Sequence, residues 1–515
     1  MDITREDIRK IFSLKLFLTI TLTYTITTII YRLFFHPLRK VPGPFLAKFT
    51  ELWRTGKYFA GDWHDEILKL HRQYGPIVRL SPNEVSFVDK DALVQIYGHG
   101  KSNQKTDWYV TWDMPNVSRN AFMAIDIREH SMLRKRVAGA YSMSSILTME
   151  KLLHERVDTL CARFAEIARE GTVIDLYDWA SFLAFDVVGT VAFGKPFGFL
   201  DKGKDDIGLI KAIYNAFWWT SNCGYLPMGG KIVLHPATQK IADFFNSTLS
   251  GATSMTAFAK EQVLKRMESV PREGGAKRDM LDHFLSMKQP NGEPCGLFEI
   301  IGEASAIVAA GADTTAIGMR SVLGHVLLHP KSYRRIQREI DEAYSAHLAE
   351  NEPQQEIPYT VLEKLPYLQA CVKEGLRLHP SILWQLPRRT PPEGITIRGH
   401  YIPPSATVSM SPKAHNRCRE IFGDDADEWR PERWIPGEGS SEESVREMNK
   451  FDTSFGYGSR VCIGKNLALV EIHKFIFEVL HRFDVELLNK ERPWIVKSLW
   501  FSCQTEMFVK LKARS

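Results

Sequence analysis

The sequence predicts a mainly α protein with small β-sheets, an α+β fold in which helices supply most of the core. Helical patterns of apolar residues run through three long stretches, at 151–193, 297–328 and 465–483. Short β-branched runs read as strands at 77–80, 84–88, 395–397 and 400–402. With 44% hydrophobic residues, the chain can bury the large core that such a fold needs.

Length and charge bound the organisation of the chain. At 515 residues, length alone allows about three domains. The sequence itself divides into an N-terminal membrane anchor at 1–35, a hinge at 36–50 and one catalytic body at 51–515. The net charge of +5 is mild for this length, so the composition does not indicate nucleic-acid binding.

The cysteines are scattered and form no C-x-x-C pair, which indicates neither a zinc site nor a disulfide framework. This usage fits a body that lies in a reducing compartment such as the cytosol. The cysteines are Cys161, Cys223, Cys295, Cys371, Cys418, Cys462 and Cys503.

Residues 11–35 form an apolar, threonine-rich stretch that predicts a single membrane-spanning helix. Only Lys15 and Arg32 interrupt it, and a lysine near one end can extend its ammonium group toward the lipid headgroups. A cleaved signal peptide is the alternative, because the run is short, but no small-residue cleavage signature follows it. Basic residues after the segment weakly favour a cytosolic body.

A proline-rich segment within 36–50 predicts a stiff connection between anchor and body. Val41-Pro42-Gly43-Pro44 contains two prolines, and each fixes its own φ and restrains the residue before it. The body is therefore expected to leave the membrane at a limited set of angles.

Residues 455–464 carry the most specific chemical signal in the sequence. Cys462 lies among glycines, shortly after Arg460, and a helical run begins behind it at Lys465. Glycine permits a flat ligand to approach the backbone, a cysteine can offer its thiolate to a metal, and an arginine can bind a carboxylate. Together they indicate a haem iron held by Cys462, with Arg460 on a haem propionate. The alternative is a glycine-rich turn around a buried structural thiol.

The predicted helix at 297–328 contains the sequence AGADTT at 310–315. Small residues make one face thin, and Gly311 needs a local reason because a helix glycine costs roughly 1 kcal/mol relative to alanine. Asp313 and Thr314 form an acid–alcohol pair that suits oxygen activation, since a carboxylate can deliver protons through water. The alternative is a core helix in which the Thr314 hydroxyl bonds back to its own turn.

Two further clusters join residues at helical spacing. His130 and Arg134, at i and i+4, share one face and offer two donors for a propionate, with a solvated basic face as the alternative. Glu374 and Arg377, at i and i+3, meet on another face, and Arg433 offers a second arginine. We expect these last three residues to support haem insertion structurally and not to act as catalysts.

The order Phe455, Gly458, Arg460, Cys462 and Gly464 resembles the haem-binding signature of the cytochrome P450 family. The resemblance covers most of the chain, and the AGADTT stretch matches the family's oxygen-activation motif. The family often has tryptophan where His130 stands, and phenylalanine where Trp434 stands. Within the family, the sequence is most similar to fungal microsomal members of secondary metabolism, including pisatin demethylase-like enzymes.

The resemblance implies a cytochrome P450 fold preceded by one transmembrane helix. It implies heme b with Cys462 as the axial thiolate, Phe455, Gly458 and Gly464 around the cofactor, and Arg388 on a propionate. It also implies substrate contacts at 98–124, 381–385 and 498–505, with a membrane-facing lid at 202–228.

The expected partners follow from the same resemblance. The sequence has no G-x-G-x-x-G fingerprint in a βαβ context, so electrons should come from a separate protein. The family implies NADPH-cytochrome P450 reductase, an apolar substrate, and anchoring in the endoplasmic reticulum membrane with the body in the cytosol. Charge alone makes Lys135, Arg136, Lys465 and Lys474 docking candidates, with solvated surface lysines as the alternative.

The implied activity is insertion of one oxygen atom of O2 into an apolar small molecule by hydroxylation, epoxidation or dealkylation, in secondary-metabolite biosynthesis. A detoxifying demethylase of plant phenolics is an alternative role. Two different activities compete with monooxygenation: a haem-thiolate isomerase or dehydratase that needs no reductase, and a haem-binding sensor without turnover. The Asp313-Thr314 pair argues against the isomerase, which has no use for a proton relay.

Overall fold

The computed structural model describes residues 5–101, 104–113, 117–226, 229, 235, 237–238, 250–268, 279–350 and 356–514. The described residues are mainly helical with small sheets, which confirms the predicted fold class. The α-helices are Arg5–Ile30, Leu52–Ala60, Trp63–Tyr74, Lys90–Tyr97, Ile127–Val137, Met143–Thr148, Glu150–Glu170, Leu176–Phe193, Phe199–Lys202, Leu209–Cys223, Ser250–Glu268, Met280–Leu285, Leu297–Leu328, Pro330–Glu350, Tyr359–Leu362, Pro366–Leu378, Pro412–His415, Arg419–Phe422, Glu442–Phe451 and Lys465–Arg482.

The strands are short and form small sheets around the helical core. They are β1 Ile77–Ser81, β2 Glu84–Phe87, β3 Val173–Asp175, β4 Arg388–Arg389, β5 Ile395–Ile397, β6 His400–Ile402, β7 Thr407–Ser409, β8 Phe483–Leu487, β9 Ile495–Leu499, β10 Phe501–Thr505 and β11 Phe508–Ala513. One sheet has the order β1-β2-β7-β4 and another has the order β3-β11-β8. The pairs β5-β6 and β9-β10 are antiparallel hairpins.

The helix Leu297–Leu328, called the long helix below, lies at the centre of the body. It packs against the helices Leu176–Phe193, Ser250–Glu268, Pro366–Leu378 and Lys465–Arg482. Its Ile307, Ala312 and Ala316 are among the buried residues of the largest apolar cluster in the described part of the chain. The long helix therefore forms a rigid floor on which functional side chains can be held.

The N-terminal segment stands outside this core. The helix Arg5–Ile30 continues into a π-helical turn at Tyr31–Phe35. Three helices of the described residues are long and apolar enough to cross a membrane, at Ser13–Phe35, Leu176–Phe193 and Leu297–Leu328. The last two are packed inside the body, whereas no residue of Ser13–Phe35 is buried there. The exposed apolar helix is what the predicted anchor requires.

The predicted hinge is tied to the first sheet. Two 3-10 turns, Pro37–Lys40 and Leu46–Lys48, follow His36. Arg79 of β1 donates from Nη1 to the Leu38 carbonyl at 3.3 Å, and its backbone N–H donates to the Pro42 carbonyl at 2.7 Å. These bonds tie the segment around Leu38 and Pro42 to strand β1.

Most of the predicted elements are present, and one is divided. The structure confirms the strands β1, β2, β5 and β6 and the helices Leu297–Leu328 and Lys465–Arg482. The helical stretch predicted over 151–193 is present as two helices, Glu150–Glu170 and Leu176–Phe193, which are separated by strand β3. Strand β3 pairs with β11 near the C-terminus, a contact that local sequence cannot reveal. Two polar stretches, 268–279 and 350–356, are loops by their composition and lie largely outside the described residues.

Candidate active site

A cavity of about 810 Å³ lies between the long helix and the cysteine loop at 455–464. Its walls also include residues of the helices Ile127–Val137 and Leu209–Cys223 and of strand β10. Cys462 lines one side, and Asp313 and Thr314 of the long helix line it as well. The structure thus brings Cys462 to the same cavity as the Asp313-Thr314 pair, which is far from it in the sequence.

The cysteine loop is held in shape by its own backbone. The Cys462 N–H donates to the Phe455 carbonyl at 2.8 Å, which closes the loop before the helix Lys465–Arg482 begins. Gly458 has a φ of 67°, and a Cβ there would overlap the Tyr97 carbonyl oxygen. The glycine at 458 is therefore required by close packing against the helix Lys90–Tyr97. Phe455 and Gly464 line the cavity, and Gly458 does not line the described wall.

The Cys462 side chain is exposed and lines the cavity. Burial raises its pKa, and backbone N–H groups of Gly464 and Lys465 together with Arg134 act against that shift. These donors and the following helix N-terminus favour a negative sulfur. A thiol in such surroundings is well suited to bind a metal that approaches from the cavity.

Two arginines and a histidine lie beside the cysteine loop. His130, Arg134 and Arg460 line the cavity, and Arg460 donates to the Ala124 carbonyl at 3.0 Å and the Ile125 carbonyl at 3.2 Å. Burial, with the nearby cations, lowers the pKa of His130 to about 3. The imidazole is therefore neutral and can donate one hydrogen bond. All three residues line the cavity, and their binding of a propionate stays a prediction.

Arg388 lies behind this group and not on the described cavity wall. Its Nη1 donates to the Tyr109 hydroxyl at 3.1 Å, and its guanidinium carbon lies 4.9 Å from the centroid of the Tyr97 ring. A contact between Arg388 and a propionate stays a prediction. In the present geometry the guanidinium supports Tyr109.

Lys105 is a further cation at this site that the sequence did not reveal. It is 4% exposed, lines the cavity, and its Nζ lies 4.2 Å from the centroid of the Tyr109 ring and donates to the Phe122 carbonyl. Burial, Arg388 and Arg460 hold its pKa well below the usual range. The backbone of Lys105 forms a bridge with Arg388, and this long-range pairing is what places the lysine here.

The acid–alcohol pair occupies the face of the long helix that borders the cavity. Asp313 is partly exposed to the cavity, but its Oδ2 is buried and has no partner among the described residues. Burial raises the pKa of Asp313 to about 7, a suitable value for proton transfer near neutral pH. Thr314 Oγ1 donates to the Ala310 carbonyl at 2.7 Å, as in an ordinary helix. Its side chain nevertheless lines the cavity.

Close packing between two helices explains the glycine at position 311. A Cβ at this position would meet Cγ2 of Val188 at 3.0 Å, so glycine allows the helix Leu176–Phe193 to approach closely. Ala310 and Gly311 also line the cavity. The small residues therefore serve the packing behind the helix and the thin wall in front of it.

Glu374 is at the centre of a fully buried ion cluster. It accepts from Arg377 Nε at 2.8 Å and from Arg433 Nε at 2.9 Å, and all three residues are 0% exposed. The Trp434 indole N–H donates to the same carboxylate at 2.9 Å. Arg433 also donates to the Phe422 carbonyl at 2.5 Å. The cluster joins the helix Pro366–Leu378 to the irregular segment that leads to the cysteine loop, which is the geometry expected of structural support.

The opposite wall of the cavity is largely aromatic. The ring centroids of Trp112 and Trp500 are 5.0 Å apart, and Phe122 lies 5.5 Å and 5.4 Å from them. Phe217 and Phe501 extend the wall, with centroids 5.6 Å apart. The predicted contact stretches 98–124, 381–385 and 498–505 each contribute lining residues. Gln385 instead lies away from the cavity, where its Oε1 accepts from Trp63 at 2.7 Å.

Two of the four predicted docking residues are not available on the surface. Lys474 is 1% exposed and its Nζ lies 2.7 Å from Glu150 Oε1. The side chain of Arg136 is 5% exposed and lies 3.5 Å from Glu303. The prediction for these two was wrong, because charge in the sequence does not show which helix face is buried. Lys135 and Lys465 are exposed.

The residues present fit a haem. One thiol faces the cavity, and the buried Lys105 and the half-buried Arg134 and Arg460 lie at its edge; among the described residues none of these three cations forms an ion pair with a carboxylate. A cofactor with a central metal and two carboxylates would supply both missing partners. Cys462 would hold the iron, while His130, Arg134, Arg460 and Lys105 would hold the propionates.

The comparisons with known proteins agree with this geometry. A family model described as cytochrome P450 matches residues 41–510. The chain is 31% identical to cytochrome P450 monooxygenase gsfF of Penicillium aethiopicum, over 98% of this chain and 99% of that protein. It is 30% identical to pisatin demethylase of Fusarium vanettenii, over 93% and 91% of the two chains. A crystal structure of the cytochrome P450DA heme domain superposes with a TM-score of 0.75 at 18% identity, over 92% of this chain and 98% of that one. The chain belongs to the cytochrome P450 family of haem-thiolate monooxygenases.

Proposed function

We propose that this monooxygenase inserts one oxygen atom of O2 into an apolar small molecule by hydroxylation, epoxidation or dealkylation. The observation that carries the proposal is the cavity itself. Its Cys462 side can hold the haem, its long-helix side presents Asp313 and Thr314, and its remaining wall is aromatic. An apolar wall with few polar groups suits an apolar organic substrate.

The protein's own groups have separate tasks in this reaction. When bound, haem supplies an iron whose thiolate ligand donates electron density and favours cleavage of the O–O bond. Asp313 holds a proton at its carboxyl group and can release it toward the cavity near neutral pH. Thr314 places a hydroxyl at the same wall, and the aromatic rings exclude water around the substrate.

Electrons are proposed to come from a separate NADPH-cytochrome P450 reductase. The sequence carries no flavin or nicotinamide fingerprint, which supports an external donor. Lys135 and Lys465 are exposed and follow, respectively, the propionate-facing and cysteine-bearing segments. Their exposure supports them as candidates for contact with an acidic partner surface.

The body is proposed to be anchored in the endoplasmic reticulum membrane by residues 1–35, with 36–50 as the hinge and 51–515 as the cytosolic catalytic domain. The exposed apolar helix at Ser13–Phe35 supports the anchor. Protease added to sealed microsomes should digest the catalytic domain. Protection of that domain would contradict the cytosolic orientation.

A role in fungal secondary metabolism is supported by similarity to fungal monooxygenases along nearly the whole chain. A second candidate reaction is oxidative demethylation of a methyl ether. It is supported by the similarity to the relative named pisatin demethylase.

The test is turnover by the purified full-length protein with reductase, NADPH and a panel of terpenoid, polyketide, alkaloid and phenolic substrates. We expect an oxygenated or demethylated product that requires all components. Turnover of a hydroperoxide without reductase would instead support an isomerase, and haem binding without any turnover would support a sensor.

Two variants test the assigned residues. Cys462→Ala should abolish the absorbance near 450 nm of the reduced carbon-monoxide complex, because the thiolate ligand is lost; its survival would refute the ligand assignment. Thr314→Ala should retain that absorbance but lower the fraction of NADPH electrons recovered in product. Unchanged recovery would count against a role for the hydroxyl.

A further inference from the structure

Arg320 is a buried cation of the long helix that the proposed function does not use. It is 2% exposed, and its Nη1 donates to the Tyr177 carbonyl at 3.3 Å and to Ser181 Oγ at 3.2 Å. Its Nε is buried without a partner, and no carboxylate of the described residues forms an ion pair with it. A buried guanidinium without a carboxylate is costly. Packing alone therefore does not account for an arginine here.

Asp313 lies on the same face of the same helix. Positions i and i+7 are almost aligned along a helix, about 10 Å apart. Helical side chains lean toward the N-terminus, so the Arg320 side chain extends in the direction of Asp313. Ala316, which is fully buried, lies between them and is small. Asp313 Oδ2 lacks a partner just as Arg320 Nε does.

Three titratable groups near the two residues, Tyr177, Tyr214 and Cys503, come from three different elements, and burial raises the pKa of each, which keeps them neutral. Asp178 lies on the helix Leu176–Phe193; burial and Asp175 raise its pKa, and Arg320 lowers it. Asp175 is engaged with the backbone N–H groups of Tyr177, Glu506 and Met507. Arg320 is therefore the permanent charge that faces Asp313 in the described part of the protein.

We propose that Arg320 is a positioning residue of the proton relay, whose fixed charge allows Asp313 to exist as a carboxylate between proton release and proton uptake. The proton leaves the Asp313 carboxyl group toward the cavity and is replaced by one from solvent, so the group returns to its starting state. This inference rests on the proposed function, because it assumes that Asp313 delivers protons. It adds a residue that never touches the cavity substrate.

The expected effect has a definite sign. Burial raises the pKa of Asp313, and Arg320 acts in the opposite direction. Removing the charge should raise that pKa further, by about one unit for charges about 10 Å apart in a protein interior. A weaker acid keeps its proton to higher pH. The alkaline decline in the fraction of NADPH electrons recovered in product should therefore move to higher pH.

The experiment compares Arg320→Met with Arg320→Lys in the haem-loaded, full-length enzyme with its reductase. Arg320→Met should move the alkaline midpoint of NADPH coupling upward by about one pH unit. Arg320→Lys should restore most of the wild-type profile because it restores the charge. The reduced carbon-monoxide complex should keep its 450 nm absorbance in both variants, since Arg320 does not contact the cysteine loop.

Arg79→Met is the matched control. Arg79 is likewise buried, at 0% exposed, and its guanidinium donates to the Leu38 and Pro82 carbonyls beside the first sheet. Its loss should lower the thermal midpoint and leave the pH profile in place. Arg320→Gln keeps hydrogen-bond donors for Tyr177 and Ser181, and it replaces the methionine variant if that variant fails to retain haem.

The outcomes separate this inference from the proposed function. An unmoved pH profile in Arg320→Met or Arg320→Gln overturns the inference, as does an equal shift in Arg79→Met. Asp313→Asn tests the assumption beneath it. If Asp313→Asn leaves coupling unchanged, the relay itself is refuted; if it lowers coupling while the Arg320 variants do nothing, only the role of Arg320 is refuted.

Discussion

Replacing Glu374 by glutamine should destabilise the protein strongly, because two buried arginines depend on this one carboxylate. Glu374 accepts from both Arg377 and Arg433, and none of the three is exposed. Breaking a buried ion pair from one side costs about 3–5 kcal/mol. The whole stability of a domain is only about 5–15 kcal/mol, so the loss is large. We expect a thermal midpoint lower by on the order of 5 °C or more.

The assay is thermal unfolding of the haem-loaded variant, together with the ratio of haem to polypeptide after expression. Glu438→Gln is the matched control, because Glu438 pairs with Arg335 at the surface, where the interaction contributes at most about 1 kcal/mol. Both measurements should fall for Glu374→Gln and stay near wild type for Glu438→Gln. Equal thermal midpoints in the two variants would refute a supporting role for the cluster.

The stabilisation that the Glu374 carboxylate contributes should depend on pH. Burial alone would raise the pKa of Glu374, but Arg377 and Arg433 lower it below the ordinary value of 4.5. A lowered folded-state pKa contributes stability above the unfolded value, and that stability is lost as pH falls through the folded value. The difference in thermal midpoint between wild type and Glu374→Gln should therefore be complete at neutral pH and shrink below pH 4.5. A difference that does not change on acidification would contradict the charged form of Glu374.

Two further variants test the cavity edge. Gly458→Ala should cost more than the roughly 1 kcal/mol of a positive-φ alanine, because its Cβ overlaps the Tyr97 carbonyl. Gly61→Ala has a similar φ but open space around it, so equal losses of haem content in the two would refute the steric argument. Lys105→Met should speed haem transfer to an excess of a haem-scavenging protein, because a buried cation near the propionates is removed. Lys101→Met, at an exposed position, should leave the transfer rate unchanged, and equal rates for both would remove Lys105 from the site.

What the sequence could reveal depended on whether residues act as neighbours along the chain. Asp313-Thr314 and the loop around Cys462 each consist of neighbouring residues, so the sequence alone predicts their chemistry. His130 with Arg134, and Glu374 with Arg377, need only helical spacing. The structure places each of these groups on the face that the spacing predicts.

The sequence could not predict the roles of residues that act through long-range contacts. Lys105 lies in an irregular stretch and is carried to the cation group by its backbone bridge to Arg388. Lys474 has the same local character as a surface lysine, yet it is paired with Glu150 from another helix. The break between Glu150–Glu170 and Leu176–Phe193 depends on the pairing of β3 with β11. In each case a partner distant in sequence decides the outcome.

The cations around the cysteine loop also connect cofactor binding with folding. Burial and neighbouring positive charges lower the pKa of Lys105 and that of Arg460. Asp126 raises the pKa of Arg460 but forms no ion pair with it among the described residues. Without carboxylates nearby, such a group raises the free energy of the haem-free fold. A ligand that brings two carboxylates stabilises the folded state by binding it and not the unfolded chain. Haem binding thus relieves the unfavourable free energy of the uncompensated cations, and this relief contributes to haem affinity. Lys105→Met should therefore weaken haem retention while raising the thermal midpoint of the haem-free protein, a pair of opposite effects that a purely structural lysine would not produce.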